Sequence, residues 1–285
     1  MAAVKLALLQ QEAKELQQGI AITLDETVSH SVLIATGLDL EEQQYVVLHL
    51  FTCSTENLII FRRRLRRDLS TLGKHSTQSQ QANVQERKNY LQRKIDSWCE
   101  IQRLYVPSLV MLRRQSQSSV EDDPQYTSLW LPSAICGKVP CHPRLYDFEW
   151  DLRFAQANDA LRDLRQSLQL RSHLYKHKDR FVTGQRANTR SNAIISRVQA
   201  SVNASISRYR TARNALLSLG PFVKKDETWR GTVMELHDED VREMTVGERG
   251  ESEGHRSISW IWKQGGVTSP DMHEGENVLT WPVYF

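Results

Sequence analysis

Residues 144–219 contain a single glycine, Gly184, and no proline. That absence constrains the fold more than any motif in the chain. The windows 144–183 and 185–219 are rich in Ala, Leu, Gln and Arg, residues that lose little side-chain freedom in a helix. Two long helices meeting at Gly184 follow directly, because glycine tolerates the positive φ of a tight reversal. Leu161, Leu164 and Leu168 recur on one face of the first. Ile195, Val198, Val202, Ile206, Tyr209 and Leu216 do so on the second. The expected packing is an antiparallel pair over Arg144–Lys178 and Thr189–Leu219, seamed by Leu161, Leu164, Leu168, Ile195, Val198 and Val202. Gly220-Pro221 ends the second helix.

The rest of the first 220 residues also reads as helical. Leu6, Leu9, Ala13 and Leu16 predict a helix over 3–18, stopped by Gly19. Residues 20–37 are ambiguous between strand and helix. Asp39 and Glu42 have capping-box spacing and would open a helix through Tyr45, Leu48 and Phe51. A further helix is expected over roughly 55–72. Val84, Leu91, Ile95, Trp98 and Tyr105 form a stripe typical of a helix packed on another, which Pro107 closes. Residues 113–128 read as a polar loop. The Pro-containing connector that follows docks Trp130 and Leu131 on a helix. The tail from 222 holds seven of the thirteen glycines and reads as loosely ordered, apart from a short helix near Asp238–Met244 and the apolar island ISWIW at 258–262. The expected fold is all-α: an elongated helical bundle with a long antiparallel hairpin and a loosely ordered C-terminal tail. Its parts are a multi-helix region (1–112), a loop and connector (113–143), a basic hairpin (144–220) and an acidic tail (221–285).

Composition enters through charge. The net charge of the 285 residues is only +3, but 151–213 carries thirteen Lys and Arg against four Asp, a net of +9. FRRRLRR (61–67) adds five cations in seven residues, whereas 226–255 has ten acidic residues against three Arg. Such a split calls for an anionic partner of the basic half, or for an acidic tail that folds back on it. The candidate nucleic-acid contacts are Arg62, Arg63, Arg64, Arg66 and Arg67 in the first knot. Around the hinge they are Lys176, Lys178, Arg186, Arg190 and Arg197, with Arg180 in the same cluster. Phosphate backbones attract such groups through counterion release. Against this stands the plain alternative that arginines on a helix form a soluble face.

Other chemistry is sparse. His173 and His177 have the i, i+4 spacing of zinc ligands, with no third ligand and no base beside them. Cys136, Cys141 and His142 lack a matching pair, and Asp122-Asp123 and Asp238-Glu239-Asp240 fall in loop or tail. Four scattered cysteines suit a reducing compartment. There is no phosphate loop, nucleophile elbow or dinucleotide fingerprint. No catalytic residue, metal, cofactor or small-molecule substrate is expected. No apolar run reaches the roughly 18 residues of a membrane span, and the N-terminus lacks the features of a signal peptide. The mean hydropathy of −0.51 agrees with a polar, helical chain.

The word order then resembles a known family. GLDLEEQQ (37–44), FRRRLRRDLSTLGKHSTQSQQANVQERKNYLQRKIDSWCEIQRLYVP (61–107) and LWLPS (129–133) are similar to the C-terminal part of KDZ (Kyakuja-Dileera-Zisupton) transposases of eukaryotic DNA transposons. LRFAQANDALRDLRQSLQLRS (152–172), GQRANTR (184–190), RYRTARNALLSLG (208–220) and SISWIW (257–262) continue the likeness, so that it covers about 37–262. The resemblance implies relatives with an RNase H-like core and three metal-binding carboxylates, the last in an Asp-Gly-Glu motif. This sequence contains no Asp-Gly-Glu, and the family's catalytic residues carry over onto no position. After SWIW the family continues into another long helix, whereas this chain runs KQGGVTSPDMHEGENVLTWPVYF, which reads as a truncated element or incomplete gene model. The expectation is a non-catalytic, intracellular and nuclear, transposase-derived helical region that binds DNA or pairs with another helical chain or transposase subunit. The alternative is a structural coiled-coil interaction protein without nucleic acid.

Overall fold

A computed structural model of the chain describes residues 1–17, 28–45, 76–116, 123–225, 227–244 and 259–263, without the side chains of 16, 76–84, 115 and 116. The described residues contain helices and no strand: the protein is all-α. In chain order the helices are α1 (Ala2–Gln17), α2 (30–45), α3 (Ser76–Tyr105), α4 (Leu109–Ser116), α5 (Pro132–Ile135), α6 (Pro143–Phe181), α7 (Gln185–Leu219), α8 (Trp229–Thr232) and α9 (Trp260–Lys263). The short helix expected near Asp238–Met244 is only a 3-10 turn over Asp238–Asp240, and 241–244 are not helical. None of these helices is long and apolar enough to cross a membrane. The expected helix over 55–72 lies outside the described residues.

The chain forms two compact units, and each long helix contributes to both. The first unit takes Met1–Asp159 and Ser207–Glu235. The second takes Ala160–Ile206 and, from Leu236 onward, the described residues 236–244 and 259–263.

In the first unit α2 and α3 supply the centre of the core. Leu91, Ile95, Trp98 and Tyr105 are buried as their spacing predicts, against Leu33, Ile34 and Leu38. The Trp98 indole donates to the Leu33 carbonyl at 2.9 Å, so its polar edge enters the core with a partner. Gly37 allows α2 to come this close. A Cβ there would stand 2.7 Å from the Trp98 ring and 2.8 Å from Leu131. The connector docks with Leu131 buried as expected and Trp130 only half-buried; Leu129 is buried as well, and the Gln102 amide donates to the carbonyls of Leu129 and Trp130. That side chain secures Trp130 at φ 54°, in the left-handed region that a bulky residue seldom adopts. Pro107 closes α3, and Pro143 opens α6, where a missing N–H costs nothing.

Three further expectations need correction. Helix α1 exists, but Leu6 and Leu9, on the face read as apolar, are exposed. Its inward positions include Leu8 and Glu12, and the Glu12 carboxylate accepts hydrogen bonds from the backbone N–H and hydroxyl of Ser31. Asp39 does not cap a helix, because α2 already begins at 30; it accepts instead from Lys5. Finally, residues 113–116 continue α4 rather than beginning a loop.

In the second unit the hairpin seam follows the expected residues. Leu161, Leu164, Leu168, Ile195 and Val202 are buried and Val198 is half-buried. Ser167 meets Ser201 at 3.2 Å, and Arg171 donates to Gln199 at 2.6 Å, a register that only antiparallel helices allow. Each buried Leu or Ile contributes about 1.5–3 kcal/mol relative to exposure. The turn is Gly184, at φ 87°. Past α7 the chain stays packed further than its glycine content suggests. Val223, Trp229 and Val233 are buried in the first unit, and Leu236 and Ile261 in the second.

Candidate nucleic-acid interface

The thirteen cations of 151–213 divide by what they touch. In the first unit Arg153 is buried, donating to Glu149 at 3.2 Å and to Glu41 at 3.1 Å. Glu149 is itself sealed in, held by the Ser133 backbone N–H at 2.7 Å and its hydroxyl at 2.6 Å. Burial pushes the Glu149 carboxyl up from its ordinary range, opposed by Arg153 and by the Ser133 donors. The two carboxylates outweigh burial at Arg153, raising its pKa further and keeping it charged. Arg208 pairs with Glu42 at 3.1 Å, and Arg213 reaches the Val233 carbonyl at 3.3 Å and Glu235 at 3.7 Å. In the second unit Arg165 donates to the Ile261 carbonyl, and Arg171 pairs with Glu243 at 3.3 Å. Arg162 and Arg210 are engaged as well. Among the described residues of the acidic tail, Glu235 in one unit and Glu243 in the other therefore reach arginines of the basic helices.

The other six cations are Lys176, Lys178, Arg180, Arg186, Arg190 and Arg197, consecutive along the chain and all in the second unit. Among the described residues none of them has an ion pair or side-chain hydrogen bond. Lys178 is half-buried and the other five are exposed. Helical geometry groups them further. Arg186, Arg190 and Arg197 stand at i, i+4 and i+11 on α7, within about 40° of one face, and Lys176 and Arg180 stand at i, i+4 on α6. At the start of α7 the backbone N–H and the side-chain amide of Asn188 each donate to the Gly184 carbonyl at 3.1 Å, and the Thr189 hydroxyl donates to the Gln185 carbonyl at 2.9 Å. Between His173 and Arg190 five cations face one carboxylate, Asp179.

Lys176, Lys178, Arg180, Arg186 and Arg190 thus lie within eight residues of Gly184 along the chain, and Arg197 stands seven residues beyond Arg190 on the same face of α7. The first knot, Arg62, Arg63, Arg64, Arg66 and Arg67, lies outside the described residues. Two aromatic residues of the same turn region carried no weight in the sequence reading. Phe181, the last residue of α6, is 70% exposed, and Tyr175 is 45% exposed. The sole signal of Phe181 in the sequence was its position, three residues before the one glycine of the hairpin; Tyr175, nine residues before it, gave none.

Elsewhere the described residues offer little convergent chemistry. His173 and His177 are exposed, and no group of three metal-ligating side chains occurs among the described residues. Cys99, Cys136 and Cys141 are free thiols, each pushed up by burial, the opposite of nucleophile activation. Burial, together with the Cys141 thiol beside it, pushes the Tyr146 phenol up to about 12. An open groove of about 650 Å³ in the first unit is lined by Ala3, Ala7, Leu8, Phe154 and Trp229, and its charges, Asp151 and Lys225, pair with each other at 2.9 Å. Comparison with family models, with curated proteins and with solved structures finds no match.

Proposed function

We propose that the chain is a transposase-derived helical region that binds DNA through the turn end of the α6–α7 hairpin, without catalysing strand cleavage itself. The observation that carries this reading is the run of six consecutive cations from Lys176 to Arg197 with no partner among the described residues, while the other seven cations of 151–213 are engaged. Structural arginines on a helix usually lie over apolar surface or beside a carboxylate. A run of cations near one helical turn, five of the six exposed, is the electrostatic footprint expected of phosphate contact. The likeness of 37–262 to KDZ transposases supports a DNA partner and, with it, nuclear localisation. It assigns catalysis to no residue of this chain, since the sequence has no Asp-Gly-Glu.

The test is direct binding of the full chain to a labelled duplex at low salt, with metal-dependent nicking assayed in parallel. Binding that is tolerant of sequence, without nicking, is the expected result. A second reading, a helical module that pairs with another helical chain or a transposase subunit, is favoured by Leu170 and Ile194, exposed on the hairpin at 51% and 40%. Self-association or capture of a helical chain with no DNA binding at low salt would favour it.

A further inference from the structure

We propose that the hairpin turn receives an unpaired nucleotide, its base stacked on Phe181 and its flanking phosphates held by Lys176, Arg180, Arg186 and Arg190. This rests on the reading that the turn binds DNA and specifies which form of DNA it prefers. Phe181 is the most exposed large hydrophobic side chain among the described residues, and it sits at the last position of α6, three residues before Gly184 turns the chain. The His177 ring lies 5.3 Å away, tilted by 45°, and supports the phenyl from the preceding turn of the helix. Arg180 precedes Phe181 directly, and Arg186 follows it across the turn.

An exposed aromatic ring flanked along the chain by Lys176, Lys178, Arg180, Arg186 and Arg190 has a narrow choice of complement. An apolar protein surface would satisfy the ring and leave four cations desolvated without carboxylates, which is costly. An acidic peptide would satisfy the cations and leave the ring in water. A nucleotide strand offers both, a π-face and a phosphate at each step. In a fully paired duplex the base faces are already stacked on each other, so the ring would find only sugar and groove edges. The stacking contribution is therefore available only from single strands, bulges or frayed ends. Because every base has a π-face, the preference is for strand form rather than for sequence.

The experiment uses the full chain and fluorescence anisotropy with a labelled thymidine strand of about 20 nucleotides, longer than a typical single-strand site, and a blunt duplex of equal length. The unpaired strand should bind more tightly than the duplex. Phe181→Ala should weaken strand binding by roughly tenfold, one lost base stack, and leave duplex binding unchanged. Phe181→Trp should keep strand binding, and Arg186→Gln with Arg190→Gln should weaken both forms alike. Circular dichroism and thermal melting of Phe181→Ala should match the parent, since the side chain is 70% exposed. Tighter binding of the duplex, or equal effects of Phe181→Ala on both forms, overturns the stacking proposal and leaves the DNA-binding reading standing. No binding of either form at low salt overturns both. Competition by polyglutamate that is as strong as by the unlabelled strand, and indifferent to Phe181→Ala, would mark a generic anion surface and also overturns the stacking proposal.

Discussion

Arg208 and Arg213 in the first unit, and Arg186, Arg190 and Arg197 in the second, occupy the same helix, yet they are used differently. The former reach Glu42, Val233 and Glu235, while the latter reach nothing among the described residues. The same split runs through α6, where Arg153 is locked between Glu41 and Glu149 and Lys176 and Arg180 are exposed. Net charge alone therefore overstates the surface available to an anion. What matters is which cations the fold has already provided with partners. The imidazoles repeat the contrast: His30 is buried beside Glu12, His142, Arg144 and Tyr105, whereas His173 and His177 are exposed.

The largest expected effect belongs to the engaged side of this comparison. Arg153→Met should destabilise the protein by about 3–5 kcal/mol in equilibrium urea unfolding, because it leaves Glu149 buried without its cation. Adding Glu149→Gln should recover part of that loss, since the neutral amide removes the buried charge, and its oxygen can accept from the Ser133 N–H while its nitrogen donates to the Ser133 hydroxyl oxygen. If Arg153→Met is neutral, the claim that these cations act structurally fails. Gly37→Ala should cost about 1–3 kcal/mol through the clash with Trp98 and Leu131. Gly184→Ala should cost about 1–2 kcal/mol, from backbone strain at φ 87° alone, since nothing lies within 4 Å of the added carbon.

A smaller effect is expected at His30. Burial lowers its pKa from 6.5, opposed by the Glu12 carboxylate and reinforced by His142 and Arg144. The unfolded chain therefore takes up the proton first, so His30 favours folding above about pH 6.5. That contribution is lost as pH falls from there through the lowered folded value. His30→Gln should flatten this part of the stability profile, and an unchanged pH dependence would remove His30 from the account.

The hairpin was legible in the sequence because its causes are local. Two windows without Gly or Pro, one Gly between them, and leucines at helical spacing specify helices, turn and seam without reference to distant residues. Pro107 and the stripe from Leu91 to Tyr105 were legible for the same reason. Partnership was not, because it is long-range: Arg153 meets Glu41 across 112 positions, and Arg171 meets Glu243 across 72. For that reason the engaged and the unpartnered arginines of 151–213 looked alike. Asp39 misled because a capping-box spacing is informative only where a helix begins, and tight packing at Gly37 lets α2 run through. In α1 the polar anchor Glu12, held by Ser31, takes an inward position, and Leu6 and Leu9 are left outside.

The central claim is that cations of the hairpin turn bind phosphate while those with partners hold the fold, and the salt dependence of DNA binding tests it most directly. Three proteins suffice: the parent, Arg186→Gln with Arg190→Gln, and Arg208→Gln with Arg213→Gln, each titrated with duplex across a salt series and unfolded in urea. The turn pair should lower the slope of log K against log[salt] by about two, one unit per lost phosphate contact, and leave stability within about 0.5 kcal/mol. The engaged pair should lower stability and leave the slope unchanged. Equal slopes for the parent and the turn pair, or a slope lost only in the engaged pair, would contradict the account.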